Sequence, residues 1–395
     1  MSEPPQAVAY AYAFEKELRM KIAGIIAEYN PFHNGHEYHL TKTREAGATH
    51  IVAVMSSSVV QRGEVAVADA HFRAETSINH GADLVLELPP QFALGAARDF
   101  ARAGVNIIRR LGCVDVLSFG AETADVGILK SALESLESAE LRIKELMSNG
   151  RTYPQAAAEA CGEKFAAIIL GQNNTLALEY LRALKNSDIT PVAVKRTVPH
   201  DGDVTANGFA SASQIRKLLK SGENARDFLA CGIPADGLSF TENGERAMLW
   251  RLSMMSKEDF ERTPYCAGLS ARLYQATRRA GSLEEVFSAV KSRNVTHARV
   301  RRAVMQAVLG VTIEDVKEPQ FARVLALNQR GAEILKICKK TASIPLGDSL
   351  SELARLSPES KRQAELIELA SRLQALCRKD GSGVSEYKRS ARLIE

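Results

Sequence analysis

Two histidines three positions apart, His33 and His36, stand where a strand-like run gives way to a helical pattern, in Glu28-Tyr-Asn-Pro-Phe-His-Asn-Gly-His36. Two imidazoles beside a triphosphate can donate hydrogen bonds to oxygens that gain charge in an in-line displacement. That is electrostatic stabilisation, not nucleophilic catalysis. Asn34 is a good N-cap for the helix, and Gly35 removes a side chain where a ligand would approach. The helix start offers free backbone N–H groups and the positive end of a dipole, which together favour an anion. By itself the pair reads more readily as two surface or capping histidines. Its place directly after a strand, beside Pro31, Asn34 and Gly35, favours the chemical reading. A zinc reading is poorer, because no third ligand is evident and the residues sit on a turn.

The elements that must hold this turn alternate. Ile22–Ala27, His50–Met55, Asp83–Leu88, Val114–Phe119 and Pro191–Lys195 are short apolar runs of strand length. Helical patterns fall between them, roughly over 66–80, 91–111, 124–148, 154–170 and 174–186. Short continuous apolar runs alternating with amphipathic helices indicate an α/β fold with a parallel sheet covered on both faces. In such a sheet, ligands bind beyond the carboxyl ends of the strands, where the histidine turn lies. After about residue 220 the pattern reads as helices only, roughly 243–256, 269–280, 282–291, 295–309, 319–341, 347–355 and 358–378. Gly222, Gly232, Pro234 and Gly237 cluster at the change. The expected division is a loose extension over 1–19, an α/β domain over 20–225 and an all-α domain over 226–395.

Composition narrows the class. Of 395 residues 45% are hydrophobic and 25% charged, which excludes a disordered, collagen-like or coiled-coil chain. No stretch approaches about 18 uncharged apolar residues, so no membrane span is expected. The formal charge of +4 is too small to indicate a partner. Cys113, Cys161, Cys231, Cys266, Cys338 and Cys377 are scattered, with no Cys-x-x-Cys pair. They read as reduced thiols of a cytoplasmic protein. Residues 1–19 lack the basic and apolar regions of a secretory signal, and Met20, just before the first strand, is an alternative start.

The segment Gly24–His36 resembles the HxGH signature of the nucleotidyltransferase superfamily, whose folds are Rossmann-like. A longer series follows in order: Met55-Ser, Gln61-Arg-Gly-Glu64, Asp69, Arg73-Ala-Glu75, Asp83–Pro89, Phe119-Gly-Ala-Glu122 and Asn173-Asn174. Together they resemble the tRNA(Met) cytidine acetate ligase family, over roughly residues 20 to 395. Arg323–Asn328 with Gly331 extends the likeness into the second half. The resemblance implies an ATP-dependent ligase that activates acetate as acetyl-adenylate. It then acetylates the exocyclic amine of the wobble cytidine of elongator tRNA(Met), with the C-terminal part helping to hold the tRNA. Mg²⁺ is implied as a shield for the phosphates, with no ligand assignable.

Carried over residue by residue, the resemblance implies ATP contacts along Ile26, Ala27, Glu28, Tyr29, Asn30, Pro31, Phe32, His33, Asn34, Gly35, His36, Glu37, Tyr38 and His39. Further contacts fall on Gly120, Asn173 and Arg196, with His33 and His36 as the catalytic pair. The residues agree. Gly120 and Arg196 end strands on the ligand side, where a missing side chain lets a nucleotide lie close and an arginine can hold phosphate or carboxylate. Ser211–Arg216 resembles the second superfamily motif, a serine-capped helix whose N–H groups and Arg216 face the β- and γ-phosphates.

Two departures, Ser56-Ser-Ser-Val59 for a Ser-Gly-x-aromatic pattern and Ala70-His71 for Lys-Trp, fall in a loop expected to bear on the acid or the acceptor. Three basic groups are candidate grips on an RNA backbone: Arg299, Arg301 and Arg302; Lys336, Lys339 and Lys340; and Arg378, Lys379, Lys388, Arg389 and Arg392. The competing readings are a nucleotidyltransferase that adenylylates a small phosphorylated metabolite, and a nucleotide-binding module without catalysis. The residues leave the oligomeric state open.

Overall fold

The computed structural model describes residues 20–196, 208–292 and 295–395. The expected extension over 1–19 lies outside the described residues. Strands, in chain order, are β1 Ile22–Ala27, β2 His50–Ser56, β3 Val59–Val60, β4 Glu64–Val65, β5 Leu84–Leu88, β6 Val116–Ala121, β7 Thr190–Lys195, β8 Ala322–Leu327, β9 Leu346–Gly347 and β10 Arg392–Leu393. The helices that matter for the site are α1 Asn34–Glu45, α2 Ala70–Asn79, α3 Ala97–Leu111, α4 Gln172–Ala183, α5 Ala212–Ser221, α6 His297–Leu309, α7 Gln329–Thr341 and α8 Pro358–Leu376.

The main sheet runs β10-β8-β5-β2-β1-β6-β7, with β9 beside β8. Its first five strands in sequence, β1, β2, β5, β6 and β7, pair in parallel and wind outward from β1 in both directions. The strand order therefore reverses between β1 and β6. That switch point opens a crevice at the carboxyl ends of the strands.

The alternation of side chains along β1 and β2 divides the core between two faces. Ala23, Ile25, Ile51 and Ala53 pack against Leu40 of α1 and Ala74 and Ile78 of α2. Ile22, Val52 and Val54 join a larger cluster with Phe100, Ile107 and Ile108 of α3 and with helices of the C-terminal half. Both faces are covered, which is why these strands read as unbroken apolar runs rather than alternating ones.

The C-terminal half is predominantly helical, but its strands do not stop at residue 220. Ala322–Leu327, expected inside a helix, is β8 and pairs antiparallel with β5. The expected helix over 319–341 is thus a strand followed by α7. A six-residue apolar run suits either element, and the sheet edge left open at β5 decides it. Asn328 joins the two, its side-chain oxygen accepting from Gly331 N–H at 3.0 Å as the cap of α7. A boundary near 225 would therefore cut through a sheet that both parts of the chain share.

Candidate active site

Beyond the carboxyl ends of β1, β6 and β7 lies a cavity of about 580 Å³. The starts of α1 and α5 and flanks of α3, α4 and α6 complete its walls. Of the expected nucleotide-contacting residues, Ile26, Ala27, Glu28, Tyr29, Asn30, His33, Gly35, His36, Tyr38, His39, Gly120, Asn173 and Arg196 line it. Pro31, Phe32, Asn34 and Glu37 do not. Phe32 packs edge-on to Tyr29 with ring centroids 4.9 Å apart, and Glu37 pairs with His80 at 3.1 Å.

The first helix is capped by a histidine rather than by the asparagine that the sequence suggests. His33 is the N-cap: its Nδ1 accepts from Gly35 N–H at 3.0 Å. His33 N–H in turn donates to Nδ1 of His36 at 3.3 Å. Asn34 falls one position inside and turns outward, donating to the carbonyls of Gly208 and Asp227 at 2.9 and 3.0 Å. Histidine can replace the usual capping side chains because a neutral Nδ1 lone pair is the same kind of acceptor. Both imidazoles accept at Nδ1, so each must carry its proton on Nε2, the donor left for a ligand. The rings stack with centroids 3.8 Å apart. Gly35 makes this possible, since a Cβ there would lie 2.9 Å from Cε1 of His33.

The pair is neutral. Burial, reinforced by Arg196 and Arg216, lowers the pKa of His33 to about 3. Burial, and then the neighbouring His33, hold His36 well below the ordinary histidine range. His39 is lowered to about 4, again chiefly by burial. Its Nε2 meets Ser118 Oγ at 3.0 Å, and Ser118 Oγ meets Thr43 Oγ1 at 2.7 Å. Thr43 donates its single proton to the His39 carbonyl. Ser118 therefore donates to Thr43 and accepts from His39 Nε2–H, which leaves His39 Nδ1 as an acceptor.

Opposite the histidines, three side chains form a relay. Glu122 Oε1 accepts from Asn173 N–H at 3.1 Å and from Asn173 Nδ2 at 2.7 Å, and Oε2 accepts from Asn174 N–H at 3.0 Å. A carboxylate thus satisfies the free donors at the start of α4, where the helix dipole also favours it. With its amide fixed in this way, Asn173 turns Oδ1 to Arg196 Nη1 at 3.1 Å. Glu122 was visible in the sequence only as a matching residue without a role. Gly120 leaves room beside this arginine, for a Cβ there would meet Arg196 Cγ at 3.5 Å and nothing closer.

Ser211 caps α5 as expected, accepting from Gln214 N–H at 3.2 Å, and lines the cavity. Arg216 donates to the Asn30 carbonyl at 2.8 Å, tying the second motif to the turn after β1. Among the described residues no group of three or more His, Cys, Asp or Glu side chains could hold a metal ion. The residues present therefore do not by themselves make a Mg²⁺ site.

One expectation is corrected. The departures at Ser57 and His71 do not reach the cavity. Ser57 is buried, its carbonyl held by Arg73, and His71 is buried against Glu386 at 3.1 Å. Several members of the basic groups also pair within the fold. Arg301 pairs with Glu64 at 2.7 Å. Arg389 grips Asp69 at 2.7 and 2.9 Å. Lys336, Lys339 and Lys340 remain exposed on α7. Sequence reasoning also missed Gln61 and Arg302 as cavity residues, because 241 positions separate them and only the packing of α6 on the β3–β4 turn unites them.

Comparison with known proteins agrees with this geometry. The family model HIGH Nucleotidyl Transferase matches residues 20–387. A tRNA(Met) cytidine acetate ligase of Acetivibrio thermocellus is 35% identical over 399 residues, covering 91% of this chain and 96% of its own. One from Syntrophotalea carbinolica is 35% identical over 362 residues, covering 85% and 86%. The structure of Thermotoga maritima TmcAL bound with alpha-thio ATP superposes with a TM-score of 0.84 at 28% identity, covering 95% of this chain and all of that one. The apo form gives 0.85. With likeness in sequence and fold running through both halves, the chain belongs to the tRNA(Met) cytidine acetate ligase family of HIGH nucleotidyltransferases.

Proposed function

We propose that the protein is an ATP-dependent ligase that activates acetate as acetyl-adenylate and transfers the acetyl group to the exocyclic amine of the wobble cytidine of elongator tRNA(Met). The observation that carries this reading is the pair of neutral histidines, His33 buried and His36 half-buried, held as Nε2–H donors at the start of α1. Neutral donors suit a site that must receive polyphosphate and then release pyrophosphate. They stabilise charge as it develops on the leaving oxygens without binding the products as tightly as cations would.

In the first step an acetate oxygen attacks the α-phosphorus and pyrophosphate departs. Arg196, oriented by Asn173 and Glu122, is the cation that holds acetate or the α-phosphate in line. In the second, the cytidine N4 attacks the acetyl carbonyl and AMP leaves. Such a cytidine must leave its stack to enter the cavity. Acetate and this tRNA are the substrates that the relatives are named for, and a cytosolic setting rests on the scattered, free cysteines. No helix among the described residues is long and apolar enough to cross a membrane.

The test is transfer of label from [¹⁴C]acetate to purified elongator tRNA(Met), with ATP and the protein. Label on the wobble cytidine supports the proposal. Adenylylation of a phosphorylated metabolite in its place would refute it.

A further inference from the structure

We infer that Glu28, Gln61 and Arg302 form the wall that reads the Watson–Crick edge of the acceptor cytosine. This rests on the acceptor being a cytidine, as proposed above. All three residues line the cavity. Gln61 N–H donates to Glu28 Oε1 at 2.7 Å, and the Gln61 carbonyl lies 3.4 Å from Arg302 Nη1. Gln61 Nε2 and Arg302 Nε are buried without a hydrogen-bond partner among the described residues. Buried donors are almost always satisfied, so two orphans on one cavity wall point to a ligand that accepts. Between them and the sheet stands a carboxylate that only accepts.

Of the two pyrimidines the pattern matches cytosine, and adenine, with N6 and N1 alone, would leave one of the two donors unmet. Cytosine presents a donor at N4 and acceptors at N3 and O2. Glu28 complements the amine, and the Gln61 amide and Arg302 complement the two acceptors. Uracil presents an acceptor and a donor where cytosine has N4 and N3, and would leave Glu28 facing an oxygen. The apolar side chains of Phe100, Leu176 and Tyr180 line the same cavity and suit the faces of a flat ring. A carboxylate is a poor neighbour for polyphosphate, so Glu28 marks the acceptor side although it lies within the nucleotide-binding segment.

The wall exists only because the C-terminal half supports it. Gly63, in the β3–β4 turn, sits on α6 so closely that a Cβ would lie 2.6 Å from the Arg301 carbonyl carbon and 2.7 Å from Arg302 N. The Arg301–Glu64 pair and a bond from Val65 N–H to Thr241 Oγ1 at 3.1 Å clamp the same turn.

Glu28 also has a place in the transfer. As the N4 lone pair forms the bond to the acetyl carbon, the carbon–oxygen bond to AMP breaks and its electron pair leaves with the phosphate. The N4 proton passes to the Glu28 carboxylate. Burial raises the pKa of Glu28 against the opposing pull of the Gln61 N–H and of Arg216, Arg62 and Arg73, which makes it a better proton acceptor than an exposed carboxylate.

The test compares binding of two anticodon stem-loops that differ only in cytidine or uridine at the wobble position. The wild type is expected to prefer cytidine by roughly tenfold or more. Gln61→Leu and Arg302→Met are expected to bring the ratio near one. Arg302→Lys serves if the methionine variant does not fold. A ratio that persists in folded variants, or that is absent in the wild type, overturns the inference. With synthetic acetyl-adenylate, Glu28→Gln is expected to slow single-turnover transfer by about a hundredfold and to flatten its pH profile. Wild-type acetate-dependent pyrophosphate exchange, run in parallel, judges the underlying reading separately, because it involves no acceptor.

Discussion

His33 and His36 can serve a developing phosphate charge only while their protons sit on Nε2, and the backbone of one turn decides this. Gly35 is the residue on which that arrangement depends most directly. Gly35→Ala sets a methyl group 2.9 Å from the His33 ring and is expected to lower acetate-dependent exchange by about a hundredfold, since displacement of a catalytic group by about an ångström costs that much. A second consequence concerns pH. His33 is lowered to about 3 in the folded chain, whereas an unfolded histidine titrates near 6.5. Between these values the unfolded state binds more protons, so stability falls as pH falls from 6.5 towards 3. At pH 5 the loss is about 2 kcal/mol. Glu87, raised by burial to about 7, acts in the opposite sense, so the His33 contribution is read as a difference. Denaturant midpoints of wild type and His33→Asn between pH 7 and 5 are expected to converge as the pH falls. The spacing of the two histidines was legible in the sequence. Their tautomers were not, because these depend on which backbone N–H each ring accepts. The choice of His33 over Asn34 as cap was hidden because asparagine is ordinarily the better candidate.

At the scale of elements, β8 explains the second-half segment that stood out in the sequence. Arg323 sits inside the apolar run, yet its side chain is fully buried and paired with Glu386 at 2.7 Å. The pattern was therefore legible as a buried element but not as a strand, because the partner of the charge lies 63 residues on. The spacing of Asn328 and Gly331 has a steric cause. A Cβ at Gly331 would lie 2.0 Å from the Asp83 carbonyl oxygen, at the point where α7 starts against the sheet. Gly331→Ala is expected to destabilise the protein by about 1–3 kcal/mol, the usual cost of overpacking. The measurement is a shift in urea midpoint at constant m. An unchanged midpoint would mean that α7 is free to move off the sheet. The five parallel strands, by contrast, were readable to within two residues at each end, because burial on both faces, strongest in β1, β2, β5 and β6, demands continuous apolar runs.

Across the whole molecule, the two halves read from composition share one sheet and one cavity. The cluster of glycines and proline near 220–240 marked a loop correctly, but a loop says nothing of whether a later strand returns. β8 covers the edge of β5, and α6 carries Arg302 to the cavity. Thermal unfolding is therefore expected as one cooperative transition, and a fragment ending at residue 225 is expected to remain unfolded with the β5 edge exposed. Two separate transitions would contradict this. On the proposed function, the same unity puts activation of the acid and reading of the acceptor in one enclosure, with the histidine turn common to both. The measurement closest to that chemistry is ATP–pyrophosphate exchange without RNA. Exchange that requires acetate, and falls about a hundredfold or more in His36→Ala, is the expected result. No exchange with acetate despite measurable ATP binding, or full exchange in His36→Ala, would contradict it.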